Sequence, residues 1–386
     1  MQEITHAMRA RYLEESLSTD LKRKMVFVGG PRQVGKTSLA LRLLGDKRGE
    51  RSPAYLNWDS LEDREHLLAG ELPSSQPLVV LDEVHKFAGW RNLVKGFYDK
   101  HRSEVSILVT GSARLDYYRK GGDSLQGRYH YYRLHPFSLR EVDAQASQST
   151  LDQLLRCGGF PEPFTDGTKR FHRRWLREMS ARITHEDVRD LERVREYSHL
   201  DLLLHHLPDC VGSPLSLNSL RMLLQVSHES IERWVRILEN LYVVFRVAPF
   251  GGGRIRAVKK EQKLYFRDWS RVADEGARFE NLVACQLLKY CDWIEDTEGF
   301  AMELRYLRDT DGREVDFVVL RDGHPEFAVE CKRGERRASP ACGYFRERTG
   351  IPEFFQVQLD GRDTGNEKTA TRVLPFGEFC LNKKLP

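Results

Sequence analysis

The run Gly30-Pro31-Arg32-Gln33-Val34-Gly35-Lys36-Thr37, followed by Ser38, fits the pattern GxxxxGK[ST] at every fixed position. Glycine lets the backbone turn so that several N–H groups point inward at phosphate oxygens. Lys36 then reaches the β- and γ-phosphates, and the Thr37 hydroxyl is placed to ligate Mg²⁺. A helix opening near Lys36 adds the positive end of its dipole. An apolar run, Met25 to Val28, precedes the loop and an amphipathic stretch, Thr37 to Leu44, follows it. Strand, loop and helix therefore come in the required order. A glycine-rich surface turn is the bland alternative, and both flanks disfavour it. The expected ligands are ATP and Mg²⁺, held by residues Gly30 to Ser38.

A second signal lies some fifty residues on. Leu78-Val79-Val80-Leu81 is a continuous apolar run of the kind a central parallel strand shows, and it ends in Asp82-Glu83. Carboxylates at the carboxyl end of a buried strand project into the crevice where open α/β sheets bind ligands. Asp82 would support the Mg²⁺ beside Thr37, and Glu83 would orient or deprotonate the attacking water. Another strand-like run, Val105 to Val109, ends in Thr110-Gly111-Ser112, which places Ser112 to bond the γ-phosphate or that water. Arg128, just before the aromatic strand Tyr129-His130-Tyr131-Tyr132, is either a finger that neutralises transition-state charge, in its own or a neighbouring subunit, or a surface arginine.

With 386 residues the chain is long enough for two to three domains. Its 40% hydrophobic and 31% charged residues are ordinary for a globular protein and exclude general disorder. A net charge of +4 permits a nucleic-acid partner without implying one. The seven cysteines form no C-x-x-C pair, so neither a zinc ribbon nor a disulfide framework is indicated. Unpaired thiols suit a reducing cytoplasm. Met1 to Lys24 lacks an apolar signal core, and no segment approaches the roughly 18 to 20 apolar residues of a spanning helix. A cytoplasmic location with no membrane partner is expected.

The combination GPRQVGKT, LVVLDE, LVTGSAR, LQGRYHYYRLHPFSLREV and CGGFPEPF resembles the AAA+ ATPases of bacteria and archaea that carry a C-terminal endonuclease-like domain of unknown function. The resemblance runs nearly the whole chain. It implies an α/β fold class with a P-loop AAA+ core over residues 1–140 and a helical lid over 141–207. A winged helix-turn-helix over 208–258 and an endonuclease-like α/β domain over 259–386 follow. It supplies no settled substrate.

Within that frame, Glu3 to Leu17 reads as one leading helix. Arg170, Arg173, Arg174 and Arg177 share a helix face in the lid. They either follow a phosphate backbone or form a solvated face balanced by Glu178, Glu186 and Asp187. Leu217 to Leu224, a turn at Gln225-Val226-Ser227, and the apolar spacing of Ile231, Val235, Leu238 and Leu241 read as helix-turn-helix. Tyr242 to Val247 and Arg254 to Val258 are expected to form a wing joined by Gly251-Gly252-Gly253. Arg233, Arg236, Arg254, Arg256, Lys259 and Lys260 then suggest a DNA surface, although Glu229 and Glu232 oppose it and many such modules merely pack against protein.

The last third carries one more pattern. Arg313 to Leu320 and Phe327 to Lys332 read as a hairpin about Asp322-Gly323, with Glu330 and Lys332 on one face and Asp316 across from them. Two carboxylates to bind Mg²⁺ and a lysine to activate water form the catalytic pattern of restriction-endonuclease-like folds, which this part resembles. Glu280, on a helix expected from Phe279 to Tyr290, matches a helix carboxylate that often completes such a site. A bare Glu-x-Lys arises about once or twice by chance in a chain of this size and charge. Glu261-Gln262-Lys263 matches it too, but only the second match ends an apolar strand opposite Asp316. The alternative is an ordinary hairpin with a surface ion pair. The expected function is a Mg²⁺-dependent ATPase acting on DNA, with or without cleavage, in a single chain or a homo-oligomer. Its rival is a nucleotide switch that holds a protein partner and has an inactive nuclease-like domain.

Overall fold

The computed structural model describes residues 9–73, 76–112, 125–184, 197–251, 261–334, 337–364 and 371–386. The chain divides into two compact units, Met1–His135 with Asn240–Tyr242, and Pro136–Glu239 with Val243–Pro386.

In the first unit α1 (Glu14–Asp20) leads into β1 (Met25–Gly29), α2 (Lys36–Leu44), β2 (Tyr55–Asn57), α3 (Leu61–Ala69), β3 (Leu78–Asp82), α4 (Trp90–His101), β4 (Ser106–Gly111) and β5 (Tyr129–Arg133). The strands form one sheet in the order β2-β3-β4-β1-β5, and every pairing is parallel. All five residues of β1 are buried, which is why its sequence is apolar without alternation. Phe27, Val79, Leu81, Ile107 and Val109 meet Trp90, Val94 and Phe97 in a single core on one side of the sheet. Parallel register aligns the strand ends, with Gly29 opposite Gly111 and Asp82 opposite Thr110. The segments that follow β1, β3 and β4 thus leave the sheet at one edge.

The leading helix starts later than its spacing predicts. The Glu14 carboxylate accepts the Arg11 backbone N–H at 2.8 Å and closes the chain ahead of Glu14. The Arg11 side chain is drawn instead to the backbone carbonyls of Val34 and His135. Residues 3–8 of the expected helix lie outside the described residues.

The second unit begins with α5 (Leu139–Val142), α6 (Gln148–Cys157), α7 (Pro161–Asp166), α8 (Lys169–Arg182) and α9 (Tyr197–His206). Then come α10 (Leu217–Leu224) and α11 (His228–Asn240), with Ile231, Val235 and Leu238 buried as the spacing demands. β6 (Val244–Pro249), β7 (Lys263–Phe266), α12 (Glu275–Glu298), β8 (Met302–Arg308), β9 (Glu314–Arg321), β10 (His324–Lys332), α13 (Pro340–Thr349), β11 (Phe354–Gln358), β12 (Thr371–Pro375) and α14 (Phe376–Asn382) complete it.

Its seven strands lie in the order β12-β11-β10-β9-β8-β6-β7. The β9–β10 hairpin turns on Asp322 and Gly323, whose φ values of 50° and 78° are both left-handed, as a tight two-residue connection requires. The expected wing is corrected here. β6 pairs antiparallel with β7 and also parallel with β8, so it is an inner strand of the large sheet rather than one side of an isolated ribbon. Arg254–Val258 lies outside the described residues, as do Lys259, Lys260, Glu186 and Asp187. Among the described residues no helix is long and apolar enough to cross a membrane.

The 24-residue α12 packs against β7, β8, β9 and β10. Asp274 caps its start by accepting the Ala277 N–H at 2.8 Å, and Gly299, at φ 79°, closes its end. Asp274→Ala should lower stability by about 1 kcal/mol, the usual cost of losing an N-cap. Urea unfolding followed by far-UV circular dichroism checks this, and Asp274→Ser should restore most of the loss.

Candidate functional site

The loop after β1 is shaped by backbone that few residues tolerate. Gln33 and Gly35 take left-handed φ values of 61° and 96°. A Cβ on Gly30 would strike the Leu134 carbonyl oxygen. Val34 is fully buried beneath the loop, and its carbonyl accepts from Arg11 Nη1 at 2.8 Å, while Arg11 Nη2 donates to His135 O at 2.6 Å. Lys36, buried at the first turn of α2, donates to Gly30 O at 3.0 Å and Pro31 O at 2.7 Å. Its ammonium therefore curls back into the loop's own cradle. Thr37 and Ser38 complete that turn.

Asp82 is the hub. It is 3% exposed, so each carboxylate oxygen needs a donor. Thr37 Oγ1 donates to Oδ2 at 2.8 Å, Tyr55 Oη to Oδ2 at 2.7 Å, and Thr110 Oγ1 to Oδ1 at 2.5 Å. Burial beside the Asp82 charge raises the Tyr55 phenol, which stays protonated and donating. The Thr37 hydroxyl and the Asp82 carboxylate are adjacent hard oxygen donors, the chemistry Mg²⁺ selects, so these residues fit that ion.

Glu83 follows with φ 55°, a left-handed value for a residue with a side chain. Such backbone costs about 1–3 kcal/mol and recurs at functional sites. Its N–H donates to Thr110 O at 3.1 Å, which holds the turn. Ser112 Oγ donates to Glu83 Oε2 at 3.3 Å. His85 Nε2 and Lys86 Nζ lie 3.7 and 3.8 Å from the same oxygen. Burial raises the Glu83 carboxyl above its ordinary range, with Lys36 opposing that shift. Burial, with Lys86 and Lys36 nearby, lowers His85 to about 4, leaving its imidazole neutral at pH 7. Arg128 pairs with Asp99 at 2.9 Å on a partly exposed surface.

Tyr55, Thr110, Arg11 and His85 escaped the sequence reading. Thr110 had a signal, being the polar residue that ends the β4 apolar run. Tyr55 had none, because only the β2–β3 register brings its hydroxyl to Asp82.

The C-terminal carboxylates also come together, around a residue set aside as a chance match. Lys263, fully buried on β7, places Nζ 3.2 Å from Glu280 Oε1 and 3.6 Å from Asp316 Oδ1, and pairs closely with Glu314. Tyr265 Oη donates to Glu280 Oε1 at 2.7 Å, and the Cys331 N–H to Asp316 Oδ2 at 2.8 Å. Glu330 pairs with Lys332 at 2.5 Å, across the hairpin from Asp316. Burial opposes the charge on Lys263, yet Glu280, Asp316 and Glu314 together raise its pKa. Of the two carboxylates expected to hold a metal, Asp316 has the Lys263 ammonium beside it, and Glu330 keeps Oε2 buried without a hydrogen-bond partner.

Residues 22–143 match the family model described as an AAA domain. The first unit carries a P-loop AAA core. Residues 148–273 match a domain of unknown function, DUF8612, and residues 275–375 another, DUF4143. The uncharacterized protein MJ1637 of Methanocaldococcus jannaschii is 23% identical over 379 residues, covering 82% of this chain and 76% of its own. Similar solved structures include a RuvB Holliday junction branch migration motor of Thermotoga maritima, at 14% identity over 61% of this chain and 87% of that one, with TM-score 0.30. PCH-2 of C. elegans is 14% identical over 59% and 69%, with TM-score 0.26.

Burial, reinforced by Asp316, raises both Glu280 and Glu330 to about 7. A carboxyl whose folded pKa exceeds its unfolded value of about 4.3 binds more protons when folded, so its contribution to stability falls as pH rises between those values. Urea midpoints should therefore decline from about pH 4.5 to about pH 7, and Glu280→Gln with Glu330→Gln should flatten that decline. An unchanged slope in the double variant would refute the assignment.

Proposed function

We propose that the protein is a Mg²⁺-dependent ATP hydrolase whose turnover is coupled to DNA. The observation that carries the hydrolase reading is the meeting of Thr37, Asp82 and Glu83 beside the phosphate loop, at the carboxyl edge of a parallel sheet. In this reading the loop N–H groups and Lys36 bind the phosphates, and Lys36 exchanges its carbonyl partners for phosphate oxygens. Thr37 and Asp82 would hold Mg²⁺, which when bound would neutralise charge on the phosphates. Glu83 orients the attacking water and takes its proton, and its raised pKa suits that task. Ser112, hydrogen-bonded to Glu83, is placed to report the γ-phosphate to the base. Arg128 serves as the finger only after leaving Asp99, from its own subunit or a neighbouring one in a homo-oligomer.

Lys36→Ala should lose nucleotide binding and hydrolysis together. Glu83→Gln should keep ATP bound while turnover falls at least about 10²-fold, the scale of a lost general base. Equilibrium binding of a fluorescent ATP analogue and phosphate release separate the two phenotypes. Normal turnover in Glu83→Gln would end the assignment of the base.

The DNA part is supported by exposed Arg233 and Arg236 on α11 and by the arginine-rich α8. For the C-terminal region the position of Lys263 favours the reading without cleavage. A divalent ion among Glu280, Glu314 and Asp316 would have to displace a fully buried ammonium, and one oxygen of Asp316 already accepts the Cys331 N–H. Lys263 thus opposes an ion among those three carboxylates, while Glu330, across the hairpin from Asp316, keeps Oε2 buried without a hydrogen-bond partner; in this reading the domain acts as a binding platform for DNA or for a protein partner. Duplex DNA should raise ATP turnover without being cut. Mg²⁺- or Mn²⁺-dependent cleavage that Asp316→Ala abolishes would overturn the non-cleaving reading, and turnover indifferent to duplex, single-stranded and branched DNA would favour the protein-switch alternative.

A further inference from the structure

We infer that the outer face of α8 is the surface that docks on the phosphate backbone of duplex DNA; this rests on the DNA reading above and names where that contact is made. The helix runs from Lys169 to Arg182. At 100° per residue, Lys169, Arg173, Arg177, Arg170 and Arg174 fall within an arc of about 140°. All five are exposed, and no carboxylate lies inside the arc, since Glu178, the only acidic residue of the helix, falls beyond Arg174. None of the five side chains has a hydrogen-bond or ionic partner among the described residues.

That arrangement works against the helix in two ways. Lys169/Arg173, Arg170/Arg174 and Arg173/Arg177 are like charges four residues apart, which repel one another and destabilise a helix. The first turn carries Lys169 and Arg170 with no acidic residue, so two cations face the positive end of the helix dipole. A surface helix selected for stability alone would interleave glutamate. A local rule broken repeatedly, with no compensating internal partner, is what a binding face requires and a solvated face does not.

The opposite side of α8 is packed internally. Trp175 and Met179 are buried, the Phe160 and Trp175 rings lie 5.1 Å apart, and His172 Nε2 is 2.8 Å from Ser270 Oγ. With its apolar side used internally, α8 has nothing to insert into a lipid surface, unlike an interfacial amphipathic helix. What remains is a rigid cationic row, about 12 Å long from Lys169 to Arg177. Four of its five members are arginines, whose planar forks suit phosphate oxygens.

The test is fluorescence anisotropy of a labelled 30-base-pair duplex with the full chain, titrated between 50 and 200 mM salt. Arg173→Gln with Arg177→Gln should lower affinity about tenfold or more and reduce the magnitude of the log–log salt slope by about 1.8, or 0.9 for each phosphate no longer neutralised. The same substitutions remove like-charge repulsion, so the thermal midpoint should hold or rise. Loss of affinity with a lowered midpoint would mean the arginines are structural, and the inference fails. If wild type binds DNA and the double variant binds with an unchanged slope, the docking face lies elsewhere while the DNA reading stands. If wild type binds no duplex at 50 mM salt, both fall. Binding to phosphatidylserine vesicles but not to DNA would replace the inference with a membrane-surface one.

Discussion

The first unit depends on one buried carboxylate. Asp82 lies at the end of an apolar strand, 3% exposed, where an ionised group survives only if its oxygens are met by donors. Those donors come from three different elements: Thr37 on α2, Tyr55 on β2 and Thr110 on β4. Each can reach only if the parallel register sets the strand ends level, with Asn57, Asp82 and Thr110 side by side. The polar demand of one side chain thus ties the phosphate loop, its helix and the central strands into a single geometry. The left-handed backbone at Gln33 and Glu83 is the local strain which that geometry sustains.

The second unit meets the same problem with the opposite device. Glu280, Glu314 and Asp316 converge from a helix and a strand, and hydroxyl donors alone would leave net negative charge in a region largely shut off from water. A buried lysine from a neighbouring strand supplies the countercharge. Removing one partner of such a cluster is costlier than the cluster's net worth, because the remainder is left buried and unpaired. Lys263 offsets part of that charge, while burial beside Asp316 still holds Glu280 and Glu330 above the ordinary carboxyl range.

α8 stands between these cases. Its buried face is held by packing and by the His172–Ser270 hydrogen bond, while its outer face concentrates charge that nothing among the described residues offsets. In a marginally stable fold, charge repulsion of a few tenths of a kcal/mol per pair is easily carried by good packing on the other side. The helix can sustain a surface that serves something outside the chain.

What was legible in the sequence is what depends on local pattern. The phosphate loop, its flanking strand and helix, the Asp82-Glu83 strand end and the Asp322-Gly323 hairpin are short-range features whose chemistry requires particular residue types at particular spacings. The sheet register was not legible, since pairing partners tens of residues apart leave no local trace. That register alone brings Tyr55 and Thr110 to Asp82, and makes β6 an inner strand of the large sheet. Lys263 shows the limit best. The chain contains two Glu-x-Lys patterns, and composition cannot say which lysine matters. Only the tertiary structure places the first of them among Glu280, Glu314 and Asp316, because a buried charge finds its counterion in space rather than along the chain.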